Sequence, residues 1–181
     1  ALRRGGARAG DELWVSGRLG DARLALQAFR GRAALRGEAF EDVRRAMERP
    51  QPRVALGQAL RGIASAAIDL SDGLAGDLGH VLRASAVGAT LRLGDIPHGP
   101  HVAACSEGQR RQCLLAGGDD YELLFAAPPD ARARVRDAGV RAGTPVTCIG
   151  TLDAAPGLRV VDAGGAAVAL AERAFDHFIA A

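Results

Sequence analysis

The chain has 181 residues, 48% of them apolar and 24% charged, with a net charge of +2. That is enough chain for one domain with a real core, and its near-neutral balance excludes a general attraction to nucleic acid or membrane surfaces. It contains no lysine, which excludes the P-loop and the lysine-dependent protein-kinase site, so phosphate contacts must come from arginine, backbone amides or metal.

The chain begins at Ala1 and soon reads Arg3-Arg4-Gly5-Gly6, as though entering a longer polypeptide at a loop. Glu12 to Val15 is predicted as a short strand ending at Gly17. Helical spacing follows over Asp21 to Phe29 and Ala39 to Met47. Arg49-Pro50-Gln51-Pro52-Arg53 is a stiff, extended connection, because each proline restricts itself and the residue before it. Val54 to Ile63 reads as a helix with Leu56, Leu60 and Ile63 on one face. Ala64 to Leu70 is then a buried strand and Gly73 to Ala84 the helix after it.

Val87 to Leu93 alternates as a strand does, and Pro97 to His101 reads as a loop. Gln109 to Leu115 is predicted helical, closed by Gly117-Gly118 as a C-cap. Tyr121 to Ala127 is a strand, Pro129 to Ala138 a helix, and Val146 to Thr151 and Leu158 to Val161 are strands. Ala171 to Ile179 is a terminal helix. Helices and strands mix without a regular βαβ period, which predicts an α+β fold with helices packed on a mixed sheet. Cys105, Cys113 and Cys148 form no CxxC pair, which fits a reducing cytoplasm and not a disulfide framework. Neither a membrane span nor a signal peptide is visible.

Three segments could carry chemistry. In Ala66-Ala67-Ile68-Asp69-Leu70-Ser71-Asp72-Gly73-Leu74, an apolar strand ends in two carboxylates flanking a hydroxyl, and a glycine opens a helix. Carboxylates so placed suit magnesium held against a polyphosphate, since Mg²⁺ takes one or two carboxylates and completes its shell with phosphates and water. Amides at the helix start would add an anion site. The plainer reading is that Ser71 or Asp72 caps the helix. A cap has no use for Asp69, however, and a carboxylate ending an apolar strand needs a partner.

The second segment, Gly117-Gly118-Asp119-Asp120-Tyr121-Glu122-Leu123-Leu124-Phe125, lets the backbone approach a ligand beside two acids, or is simply turn chemistry. If the segment is extended, Asp119 and Asp120 face opposite ways. Glu122 could pair with an arginine. The third, Phe175-Asp176-His177-Phe178, offers rings that could stack on a heteroaromatic ligand or pack on the core. His80, His98 and His101 have no metal-ligand spacing.

In this order, and with Arg4-Gly5-Gly6-Ala7-Arg8-Ala9-Gly10-Asp11 and Val15-Ser16-Gly17-Arg18-Leu19-Gly20-Asp21-Ala22 ahead of them, these segments resemble the C-terminal half of thiamine-monophosphate kinase, in the aminoimidazole-ribonucleotide synthetase superfamily. The Asp-x-Ser-Asp-Gly-Leu element is shared across that superfamily; Gly-Asp-Asp-Tyr-Glu-Leu and the aromatic tail point to the thiamine enzyme. The resemblance implies ATP-dependent phosphorylation of thiamine monophosphate to thiamine diphosphate with Mg²⁺. Carried over, Asp69 and Asp72 would ligate magnesium, Ser71 and Arg4 would contact ATP, and Asp119 or Asp120 with Phe175 would hold the substrate. No residue is assigned as acid, base or nucleophile.

The resemblance further implies a three-layer α/β/α domain over residues 1–181 and a cytoplasmic location. It implies a separate N-terminal ATP- and Mg²⁺-binding domain, absent from this chain, and a homodimer when full length. The chain alone is then expected to be inactive. A rival reading is another ATP-using enzyme of the superfamily, or a module that binds nucleotide or metal without chemistry.

Overall fold

The computed structural model describes residues 1–169; the terminal helix and the Phe175–Phe178 segment expected from the sequence lie outside them. Six strands, β1 (Glu12–Ser16), β2 (Ala66–Asp69), β3 (Gly88–Arg92), β4 (Leu123–Ala127), β5 (Val146–Asp153) and β6 (Gly157–Val161), form one sheet in the order β2-β4-β1-β5-β3-β6. The β3–β6 pair is parallel and the other pairs are antiparallel, so the sheet is mixed. Among the described residues seven α-helices accompany it: α1 (Asp21–Phe29), α2 (Glu38–Glu48), α3 (Val54–Ala59), α4 (Leu74–Ser85), α5 (Pro100–Ala103), α6 (Glu107–Ala116) and α7 (Arg132–Arg141).

Side-chain alternation along the central strand β1 builds two cores. Leu13 and Val15 join Ile68, Leu91 and Ile149 from the sheet with Leu24 of α1, Leu78 and Val81 of α4 and Leu114 of α6. Trp14 points to the other face and packs with Phe125, Leu56, Leu60, Val135 and Ala138, beneath α3 and α7. Its ring stacks on Phe125 at 6.4 Å between centroids. Helices thus cover both faces, giving the α+β, three-layer arrangement expected.

Several boundaries moved for local reasons. Helix α3 ends at Ala59, and a turn with Gly62 at φ 74° follows. The expected loop over Pro97 to His101 contains the start of α5, whose Pro100 sits in the first turn, where its missing N–H is harmless. Gly117 closes α6 in an extended conformation, not the left-handed one of a glycine C-cap. Pro129–Ala131 forms a 3-10 turn ahead of α7.

The N-terminal segment is tied along the outer side of β2. The Ala67 N–H donates to the Arg3 carbonyl at 2.8 Å, and the Ser85 hydroxyl at the end of α4 donates to the Arg4 carbonyl at 3.3 Å. A Cβ at Gly6 would stand 2.7 Å from the Ser65 carbonyl oxygen, so this close approach requires glycine.

Candidate functional site

Strand β2 delivers the site. It ends at Asp69, which is exposed; Leu70 returns to the core; Ser71 and Asp72 form a half-buried turn; and Gly73, at φ 103°, swings the chain into α4. The helix start carries no side-chain cap, so neither Ser71 nor Asp72 serves as one. The capping alternative is set aside. Among the described residues, the Asp69 and Asp72 carboxylates accept no hydrogen bond and meet no cation.

Asp77, in the first turn of α4, holds this turn in place. Its Oδ2 accepts the N–H groups of both Ser71 and Asp72, each at 2.9 Å, and the residue is only 2% exposed. Burial pushes the Asp77 carboxyl above the usual carboxylate range; the charges of Asp72 and Asp69 push the same way, and the two N–H groups oppose them. The amides of Ser71 and Asp72 are therefore already occupied, whereas those at the α4 start itself, expected to add an anion site, are not the ones that Asp77 takes. Sequence reasoning gave Asp77 no role. The signal available was an acid placed in the first turn of the helix just after the Asp-x-Ser-Asp turn.

The second acidic segment lies alongside. Beyond the last β2–β4 pair, Asp69 with Leu123, backbone bonds continue in sequence: Leu70 N–H to the Glu122 carbonyl, Tyr121 N–H to the Leu70 carbonyl, and Asp119 N–H to the Ser71 carbonyl, at 2.8, 2.8 and 3.0 Å. The segment from Asp119 to Tyr121 is not extended, because Asp119 and Tyr121 adopt left-handed backbone angles, φ 68° and 50°. Gly118 permits the contact, since a Cβ there would stand 2.5 Å from the Ser71 oxygen.

The two acids separate. Asp119 is exposed beside Ser71. Asp120 accepts the Gly20 N–H on both carboxylate oxygens, at 3.0 and 3.1 Å. Loss of solvent pushes the Asp120 carboxyl well above its ordinary range; the charges of Asp21 and Glu122 add to this, while the amides of Gly20 and Ala22 oppose it. Glu122 finds the arginine anticipated for it: Arg53 donates from Nε and Nη2 at 2.7 and 2.6 Å, and the Ser16 hydroxyl donates at 2.5 Å. A cleft of about 1070 Å³ includes Asp120, Glu122, Arg18, Asp21 and His98 in its lining, but not Asp69, Ser71, Asp72 or Asp119.

Arg4 is exposed one residue beyond the Arg3–Ala67 bond, at the β2 edge, and its side chain meets no carboxylate among the described residues. Phe175 lies outside those residues. Of the sequence-predicted residues, the fold therefore gathers Asp69, Ser71, Asp72 and Asp119 on two adjoining turns, and sends Asp120 inward. No group of three or more His, Cys, Asp or Glu side chains among the described residues could hold a metal ion unaided. Asp69 and Asp72, without partners among the described residues, are carboxylates of the type that Mg²⁺ takes beside phosphate oxygens.

A mixed sheet covered on both faces, with an acidic turn where its edge strand meets a helix, defines the class. The chain belongs to the family described as AIR synthase related protein, C-terminal domain, whose model matches residues 8–163. Within it, the chain is similar to thiamine-monophosphate kinases. It is 41% identical to that of Salmonella typhimurium over 98% of this chain and 55% of the relative. The crystal structure of thiamine-monophosphate kinase from Stenotrophomonas maltophilia K279a aligns with a TM-score of 0.82 at 39% identity, over 88% of this chain and 52% of that one. A structure of AaThiL complexed with AMPPCP and TMP aligns with a TM-score of 0.77 at 26% identity, over 98% of this chain and 54% of that one. The chain spans about half the length of the curated relatives it matches.

Proposed function

We propose that this chain supplies the C-terminal half of the site of a thiamine-monophosphate kinase, which transfers the γ-phosphoryl group of ATP to thiamine monophosphate. The observation that carries the reading is the seating of the Asp69–Asp72 turn against the Asp119 turn. The carboxylates that would bind a cation and the candidate substrate contact then lie on adjoining turns. The likeness to a kinase solved with AMPPCP and TMP supports it.

Asp69 and Asp72 would hold Mg²⁺. That ion would neutralise charge on the triphosphate and on the transferring group. Ser71 would reach the nucleotide through its hydroxyl, since its amide is taken by Asp77, and Arg4 would meet the phosphates. Exposure and closeness to Ser71 favour Asp119 over Asp120 as the substrate contact, with Phe175 stacking on the thiamine rings. The acceptor is a phosphate oxygen. It forms a bond to the γ-phosphorus as the bond to the β,γ-bridging oxygen breaks, and ADP leaves. No hydroxyl needs deprotonating, so alignment and charge neutralisation carry the reaction without a general base.

A separate N-terminal domain would provide the remaining nucleotide and metal contacts, and the full-length protein would be a cytoplasmic homodimer. No helix among the described residues is long and apolar enough to cross a membrane. In the full-length protein, Asp69→Asn and Asp72→Asn should each lower turnover by orders of magnitude while folding survives; near-normal turnover at saturating Mg²⁺ would remove that residue from the metal site. The chain alone should fold without forming thiamine diphosphate. Assaying ATP with other acceptors separates this reading from other enzymes of the superfamily.

A further inference from the structure

Asp77 makes an unusual use of a helix start. In an ordinary cap, a residue ahead of the helix accepts amides from the first turn. Here the acceptor lies in the helix, and the donors, Ser71 and Asp72, lie ahead of it. The arrangement satisfies none of α4's own unpaired amides. It acts on the turn.

The anchor is rigid. Leu74, Leu78, Val81 and Leu82 of α4 are buried in the larger core, so the Asp77 carboxylate is fixed relative to β2. Two adjacent amides converging on one anionic oxygen are the cradle that, left open, takes a phosphate oxygen directly. A buried carboxylate already fills it. The turn is thereby converted from an anion site into one that presents carboxylates outward, and phosphate must approach it through a cation.

We infer that Asp77 is the positioning residue of this site: it locks the Ser71–Asp72 turn so that Asp69 and Asp72 present together to a divalent cation, and it keeps phosphate off the turn's amides. This rests on the metal reading of Asp69 and Asp72 given above. Asp77 is itself buried and would act only through the turn it holds.

The test compares Asp77→Ala and Asp77→Asn in the full-length protein. Amide exchange at residues 71 and 72 is read without metal or nucleotide, and Mg²⁺ binding is read by calorimetry with a non-hydrolysable ATP analogue. Asp77→Ala should speed exchange at the two amides at least tenfold, with α4 still protected, and raise the half-saturating Mg²⁺ concentration at least tenfold. Asp77→Asn should fall between Ala and the parent, because one carbonyl oxygen can still accept both amides. If Ala does not fold, Asn alone decides, and parent-like exchange with a parent-like Mg²⁺ requirement in Asn overturns the proposal.

Faster exchange with an unchanged Mg²⁺ requirement also overturns it, reducing Asp77 to a structural bond. Asp69→Asn and Asp72→Asn are measured beside it. If neither alters Mg²⁺ binding, the metal reading falls; if they do and Asp77 does not, only the positioning role falls.

Discussion

Arg53, at the end of the proline-bound connection, forks onto Glu122, 69 positions further along, through Nε and Nη2 at 2.7 and 2.6 Å. The Glu122 side chain is 8% exposed and that of Arg53 23%. The pair fastens α3 to the turn that carries Asp119. Removing one partner of a largely buried pair strands the other charge, at about 3–5 kcal/mol. Arg53→Leu should accordingly lower the melting temperature by roughly 6–20 °C, taking about 2–4 °C per kcal/mol for a chain of this size. A thermal scan checks it; a change under about 2 °C would show that the pair contributes little.

Gly118→Ala addresses the seam between the two acidic turns. The added Cβ would meet backbone, the Ser71 oxygen at 2.5 Å, which cannot rotate away. Overpacking of this kind costs about 1–3 kcal/mol. Turnover of the full-length protein should fall at least roughly tenfold, since reacting groups tolerate little displacement. Gly108→Ala is the matched control. It lies in α6 with nothing near its Cβ position, and should be neutral or stabilising by up to about 1 kcal/mol.

Much of the fold was legible where pattern and local chemistry agree. Helix α1 occupies the predicted Asp21–Phe29, because an acid opens it and Leu24, Ala25 and Ala28 set its period. Strand β4 begins at Leu123 and not at Tyr121 because two non-glycine residues take left-handed angles. Composition does not announce that. The Asp69-Ser71-Asp72 cluster could be read from residue types alone, since a carboxylate ending an apolar strand has few structural uses. The grip of Asp77 on the turn could not, because it depends on where α4 is seated. Likewise an arginine for Glu122 was foreseeable, but which one depended on how α3 lies against the sheet.

Asp120 gives the protein a signed pH dependence. Burial raises its folded-state pKa above the ordinary carboxyl value, so the folded state holds that proton more tightly than the unfolded chain. Its contribution is therefore fully present below the unfolded pKa and declines as pH climbs toward the raised folded value. Asp120→Asn keeps an acceptor for the Gly20 amide and cannot ionise. Relative to the parent, the variant should gain stability as pH rises from about 4 toward 8. Denaturant midpoints along that series test it, and a constant difference at every pH would refute it.

Cys113 should be chemically silent. It is fully buried in the core, and burial pushes its thiol up to about 12. The reactive thiolate is then on the order of one part in ten thousand near pH 8. Cys105 and Cys148 are only partly buried. Alkylation of the native protein should therefore spare Cys113 until denaturant is added, as peptide mass mapping would reveal.

Among the described residues strand β2 is the outermost strand on its side, and the Arg3 carbonyl accepts the Ala67 N–H on that strand's outer flank. The first few residues thus act as a shield over a short, apolar ladder that could otherwise recruit a neighbouring molecule. Removing that cover would bare backbone beside Ala66, Ala67 and Ile68, and should promote self-association through this edge.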